Sequence, residues 1–138
     1  MSNASPRPTV EKLLDLSGVE LAAAQRISKA HEPQDRFCWR LEAENSLDDP
    51  FDKTFYDPVK RAFGRVIEPP SELVTVSYGS FEVWDHASPN LEWLKKRASE
   101  LDAIGSEVGA FLDGWSYEPI GYPAKDIPQV YHSAQRDQ

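Results

Sequence analysis

The chain has 138 residues, with 15 Lys and Arg against 23 Asp and Glu, giving a formal net charge of −8 at neutral pH. That is the length of one domain, and 40% hydrophobic residues with 4 Trp, 5 Tyr and 6 Phe supply a core. The composition argues against wholesale disorder and a membrane span, and the acid excess against direct binding to nucleic-acid phosphate, which needs clustered cations; a basic protein is the more natural partner.

Residues 1–8 read as a frayed or vector-derived end, residues 9–119 as a single α+β domain opening with a helical segment, and residues 120–138 as an extended tail. Thr9 to Ala30 is helical by pattern, in two pieces, because Ser17-Gly18-Val19-Glu20 has the form of a capping box. His31-Glu32-Pro33 ends it. From Arg36 to Glu44 the apolar residues Phe37, Trp39, Leu41 and Ala43 alternate with polar ones, the period of a strand with one buried face.

Asp48-Asp49-Pro50 and Asp57-Pro58 each place a capping residue before a proline, so a short helix is expected to end near Phe63-Gly64. Arg65 to Glu68 is a short strand candidate stopped by Pro69-Pro70, and Leu73 to Trp84 reads as one long strand bent at Gly79-Ser80. Ser88 and Pro89 predict the start of the best helix, which carries Leu91, Leu94, Ala98 and Leu101 on one stripe and stops before Gly105. Phe111, Trp115 and Tyr117 around Asp113-Gly114 predict a last strand. From Arg36 onward this is the β-α-β-β-α-β order of a ferredoxin-like sandwich, an antiparallel sheet covered by helices.

Few groups suggest catalysis. His31, His86 and His132 stand apart, and no phosphate-loop, dinucleotide, hydrolase-elbow or zinc spacing occurs, so no catalytic residue, metal site or cofactor is assigned. The Asp48, Asp49, Asp52 knot has oxygen ligands that could hold a hard cation, but helix capping explains it equally well, its spacing matches no calcium loop and Pro50 restricts the backbone. Cys38 is the only cysteine, which excludes an intrachain disulfide; with no leader pattern in the first ten residues, a cytoplasmic location is expected. Lys95-Lys96-Arg97 reads as a solvated helix face. Trp39 belongs to the core by its alternation, whereas Trp84, at a strand end, and Trp93, off the helix stripe, are the candidate partner contacts.

Asp113-Gly114-Trp115, directly after a long amphipathic helix and followed by Tyr117-Glu118, resembles the regulator of ribonuclease E family, RraB. Ala62-Phe63-Gly64-Arg65-Val66-Ile67-Glu68-Pro69 is similar to that family's junction between first helix and second strand, Phe37-Cys38-Trp39-Arg40-Leu41 to its first strand, and Asn90 to Leu101 to its second helix. The resemblance implies a small acidic protein that binds an endoribonuclease and dampens RNA decay without chemistry of its own. Asp113, Gly114, Trp115 and Tyr117 are expected to serve as scaffold, with glycine and aspartate shaping a turn and tryptophan filling the core. The tail departs from the family, since residues 119–138 carry only Asp126 and Asp137 against Lys125 and Arg136. Two other readings fit size and charge: an immunity-type or antitoxin-type protein that neutralises a basic toxin, and a small-molecule-binding or enzymatic sandwich with a pocket lined by Trp39, Tyr78 and Trp115. Oligomeric state is left open.

Overall fold

A computed structural model of the chain describes residues 18–32, 34–120 and 130–133. In chain order the described elements are α1 (Gly18–His31), β1 (Phe37–Ala43), α2 (Lys53–Phe63), β2 (Glu72–Thr75), β3 (Ser80–Asp85), α3 (Leu91–Glu107), β4 (Ala110–Tyr117) and β5 (Val130–Ser133). The strands form one antiparallel sheet in the order β2-β3-β1-β4-β5. From β1 to β4 this is the ferredoxin-like α+β arrangement that the element order predicts. Within the stretch expected as a tail, Val130–Ser133 adds a fifth strand beside β4. The expected helical piece over residues 9–17, its cap at Ser17 and the frayed end 1–8 lie outside the described residues.

Alternation along β1 places Phe37, Trp39 and Leu41 on one face, all fully buried, opposite Phe81 and Val83 of β3 and Leu112, Trp115 and Tyr117 of β4. The helices cover that face with Leu21 and Ala24 from α1, Tyr56, Val59 and Phe63 from α2, and Leu94, Ala98 and Leu101 from α3. Each large side chain buried here contributes about 1.5–3 kcal/mol relative to exposure. The other face of the sheet carries Arg40, Glu42, Glu82 and Trp84, with Cys38 beneath them.

Several boundaries differ from expectation. Arg65 to Glu68 is not a strand, because the N–H groups of Arg65, Val66 and Ile67 bond back to the carbonyls of Ala62 and Phe63 and wind the helix end into turns. The single strand expected over Leu73 to Trp84 is a hairpin of β2 and β3. Tyr78 and Gly79 take φ of 51° and 94°, the left-handed pair of a tight hairpin turn, and Ser80 N–H closes it on Ser77 O at 3.0 Å. The element order therefore survives although the second strand lies further along the chain than predicted.

The helix caps also move. α2 starts at Asp52, whose carboxylate accepts from Thr54 N at 2.9 Å, so Pro58 lies inside the helix rather than at its start. Asp49 instead accepts from Phe51 N in a local turn. α3 is capped by Asn90, whose Oδ1 accepts from Trp93 N at 3.0 Å, and not by Ser88. It runs through Gly105 to Glu107, and the residue that releases the chain into β4 is Gly109, at φ 73°.

Candidate functional site

Asp113, Gly114, Trp115 and Tyr117 lie along β4, and the register of β4 against β1 shifts between Arg40 and Leu41: Arg40 faces Gly114, but Leu41 faces Leu112. Asp113 is the extra residue of this bulge. Beyond it, Trp115 and Tyr117 point into the core, 1% and 0% exposed, and both rings pack against Phe37. The Tyr117 hydroxyl makes a short hydrogen bond to Asp35, whose other oxygen accepts from Ser28 of α1 at 3.0 Å. Burial, then the Asp35 carboxylate, pushes the Tyr117 hydroxyl well above its ordinary pKa. The bulge at Asp113 interrupts the β1-β4 ladder, and Tyr117 links β4 to α1 through Asp35.

Trp84 and Trp93 are both half-buried and lie on opposite sides of the sheet, so they do not form one contact patch. Trp84 sits on the face away from the helices, with the Arg36 guanidinium 4.4 Å from its ring centroid and its Nε1 donating to Glu82 at 3.2 Å. Arg36 also approaches Glu118 at 3.8 Å. Cys38, the register partner of Trp84, is buried here, and its thiol is pushed up to about 12 by burial and the neighbouring Glu82 and Glu118 carboxylates. Trp93 packs against Phe37 and Trp39, with ring centroids 5.1 and 5.8 Å away, and presents its remaining surface to a cleft.

That cleft, of about 360 Å³, lies between α3 and the 66–71 segment; Glu68, Ser71, Asp85, His86, Trp93, Lys96, Arg97 and Glu100 are among the residues lining it. At its floor the Asp85 carboxylate, 4% exposed, receives Arg97 Nε and Nη2 at 2.9 Å each, Trp39 Nε1 at 2.8 Å and Ser71 Oγ at 2.6 Å. Arg97 Nη1 continues to Glu100 at 2.7 Å and to the Val66 carbonyl at 3.3 Å. Burial works against the Arg97 charge, but the two carboxylates outweigh it and hold the guanidinium firmly protonated. The Lys95-Lys96-Arg97 cluster therefore does not act as one solvated face, because Arg97 turns inward while Lys95 and Lys96 stay exposed.

Four donors saturate Asp85, and Ser71 donates to that carboxylate rather than to an imidazole, so the Ser, His and Asp of the cleft are not in relay order. His86 Nδ1 is buried without a hydrogen-bond partner, whereas the side chains of His31 and His132 lie outside the described residues. The pocket expected from Trp39, Tyr78 and Trp115 does not form: the two tryptophans are sealed in the core and Tyr78 is 58% exposed at the hairpin tip. No sequence motif marks the cleft, although Asp85 continues the inward series Phe81, Val83 and Arg97 lies on the α3 stripe three residues after Leu94. A carboxylate and a guanidinium at two core-facing positions are a legible sign of a buried pair.

The fold is a ferredoxin-like α+β sandwich with a cleft beside α3. No protein-family model matches the chain, and no curated protein matches it. Among the described residues no helix is long and apolar enough to cross a membrane.

Proposed function

We propose that this chain is a non-enzymatic, cytoplasmic regulator that binds a basic protein, and that the RraB resemblance supplies the class of target, an endoribonuclease. The observation that carries the reading is the acid excess. Arg36, Arg65 and Arg97 are each held against carboxylates of the chain itself; Asp48, Asp57, Glu68, Glu72 and Glu92 stand exposed, among exposed cations that include Lys53, Lys60, Lys95 and Lys96. The net charge of −8 sets a negative long-range field, which steers a basic partner and weakens as salt rises. Trp84 on the sheet face and Trp93 at the cleft are the aromatic contacts that this reading assigns to the partner.

The test is affinity capture from native lysate on the immobilised chain, in low and in high salt, with mass-spectrometric identification. A ribonuclease retained in low salt and released by high salt supports the proposal. Retention of a small basic toxin encoded next to this chain would favour an immunity role, and specific retention of no protein at all would overturn both. The cleft beside Trp93 favours one second reading, binding of a small molecule, which a thermal-shift screen of metabolites would reveal as a stabilisation lost in Trp93→Ala.

A further inference from the structure

Four of the exposed large apolar side chains gather at one margin of the molecule: Phe51 at 57%, Val74 at 36%, Val76 at 43% and Tyr78 at 58% exposure. That margin is the edge of the sheet formed by β2. Val76 N–H bonds to Ser80 O at 3.0 Å, so the alternation of an antiparallel pair also turns Val74 and Glu72 toward β3 and aims the N–H and C=O groups of Leu73 and Thr75 away from the sheet. From Glu72 to Val76 there is no lysine and no proline to guard this edge.

Both sides of the edge are prepared for alternating side chains. On the open face Val74 and Val76 form an apolar step, with Glu72 before it and Glu82 directly opposite Val74. On the helix side Thr75 joins Phe51, Lys53, Tyr56, Asp57 and Lys60 around a groove of about 140 Å³. Tyr78 N–H bonds to Pro50 O at 2.8 Å, which holds the hairpin tip against the loop bearing Phe51.

We propose that the β2 edge is a strand-addition site for an extended segment of the basic partner, in which apolar residues cover Val74 and Val76 and a Lys or Arg meets Glu72 and Glu82. The proposal rests on the partner-binding reading above and specifies its mode. On the open face, where Glu72 and Glu82 flank the valine step, charge complementarity selects this occupant, because a second copy of the chain would bring another net −8 and a second Glu72 to the same edge.

The experiment uses the full chain and an acetylated, amidated hexapeptide of alternating lysine and valine, with the same peptide N-methylated at alternate residues as control. Amide hydrogen exchange is read residue by residue. The unmodified peptide is expected to slow exchange at Leu73 and Thr75, and the N-methylated one is not. Thr75→Pro removes one outward N–H without touching the bonds to β3, and is expected to weaken the peptide about tenfold, whereas Thr75→Ser keeps the affinity. Should Thr75→Pro fail to fold, Val74→Lys sets a cation against the guest and is expected to weaken it likewise. Unchanged exchange at Leu73 and Thr75, or full affinity in a folded edge variant, overturns the proposal. So does a dimer in sedimentation that Thr75→Pro dissolves, since the occupant would then be a second copy. A basic protein captured from lysate equally by wild type and Thr75→Pro refutes the edge while leaving the regulator reading intact. Peptide protection at the edge with no protein captured refutes the regulator reading alone.

Discussion

The Asp85 carboxylate and the Arg97 guanidinium meet in a two-pronged pair, Nε to Oδ2 and Nη2 to Oδ1, both at 2.9 Å, across the contact between β3 and α3. The pair is buried, and the remaining lone pairs of Asp85 are taken by Trp39 and Ser71. One carboxylate thus joins the central strands, the long helix and the segment leading into β2.

Removing one partner of such a pair leaves an uncompensated buried charge. Arg97→Ala is expected to lower the unfolding free energy by about 3–5 kcal/mol, measured by urea denaturation. Arg97→Lys should recover only part of this, since an ammonium cannot make the forked contact. Equal stability of wild type and Arg97→Ala would show that the pair holds nothing together.

Gly79 is required twice over. Its φ of 94° is strained for any L side chain, and an added Cβ would lie 2.7 Å from the Cβ of Ala43. Gly79→Ala is expected to cost about 2 kcal/mol or more, again by denaturant unfolding, with the loss concentrated in the β2-β3 hairpin by hydrogen exchange. A variant as stable as wild type would contradict the tight turn.

The tryptophans separate scaffold from surface. Trp115→Ala empties a fully packed site and is expected to cost about 3–5 kcal/mol. Trp84→Ala gives up a half-exposed ring with one cation-π contact and is expected to cost about 1 kcal/mol, while lowering affinity for the partner. Stability and binding measured on the same two variants check this; a reversed order of stabilities would contradict the assignment.

Much of this architecture is legible in residue spacing. The alternation through Phe37, Trp39 and Leu41 and the stripe through Leu94, Ala98 and Leu101 report burial on one face directly, and both sets lie in the core. Turns and caps are harder to read because several nearby residues can serve the same backbone donors: Asp52 rather than Asp57 caps α2, and Asn90 rather than Ser88 caps α3. The hairpin is hidden because its turn uses Tyr78 beside Gly79, a left-handed conformation that tyrosine rarely signals. The cleft depends on Asp85 meeting Arg97 across two elements: each charge is legible at a core-facing position, but no local spacing pairs the one with the other. Asp113-Gly114 suggests a turn or bulge at the entry of the last strand; β4 instead begins at Ala110, and the pair lies within it, with Asp113 as the bulge ahead of the buried Trp115.

Stability should also fall at alkaline pH. The folded pKa values of Cys38 and Tyr117 are both raised, Cys38 from 9.0 to about 12. The unfolded chain therefore loses these protons first, so stability is complete below about pH 9 and declines as the pH climbs toward the folded value. Urea midpoints at about pH 7 and about pH 10.5 test this, with a shallower decline expected for Cys38→Ala. A midpoint that is flat over that range in the wild type would contradict it.

The most direct test of the regulator reading is the rate at which purified ribonuclease E from the same cell cleaves a labelled RNA as this chain is added, in low and in high salt. The account predicts that cleavage falls as the chain approaches one equivalent of enzyme, that high salt restores it, and that the chain alone neither binds nor cuts the RNA. A cleavage rate that stays constant through a large excess of chain in low salt would contradict the account.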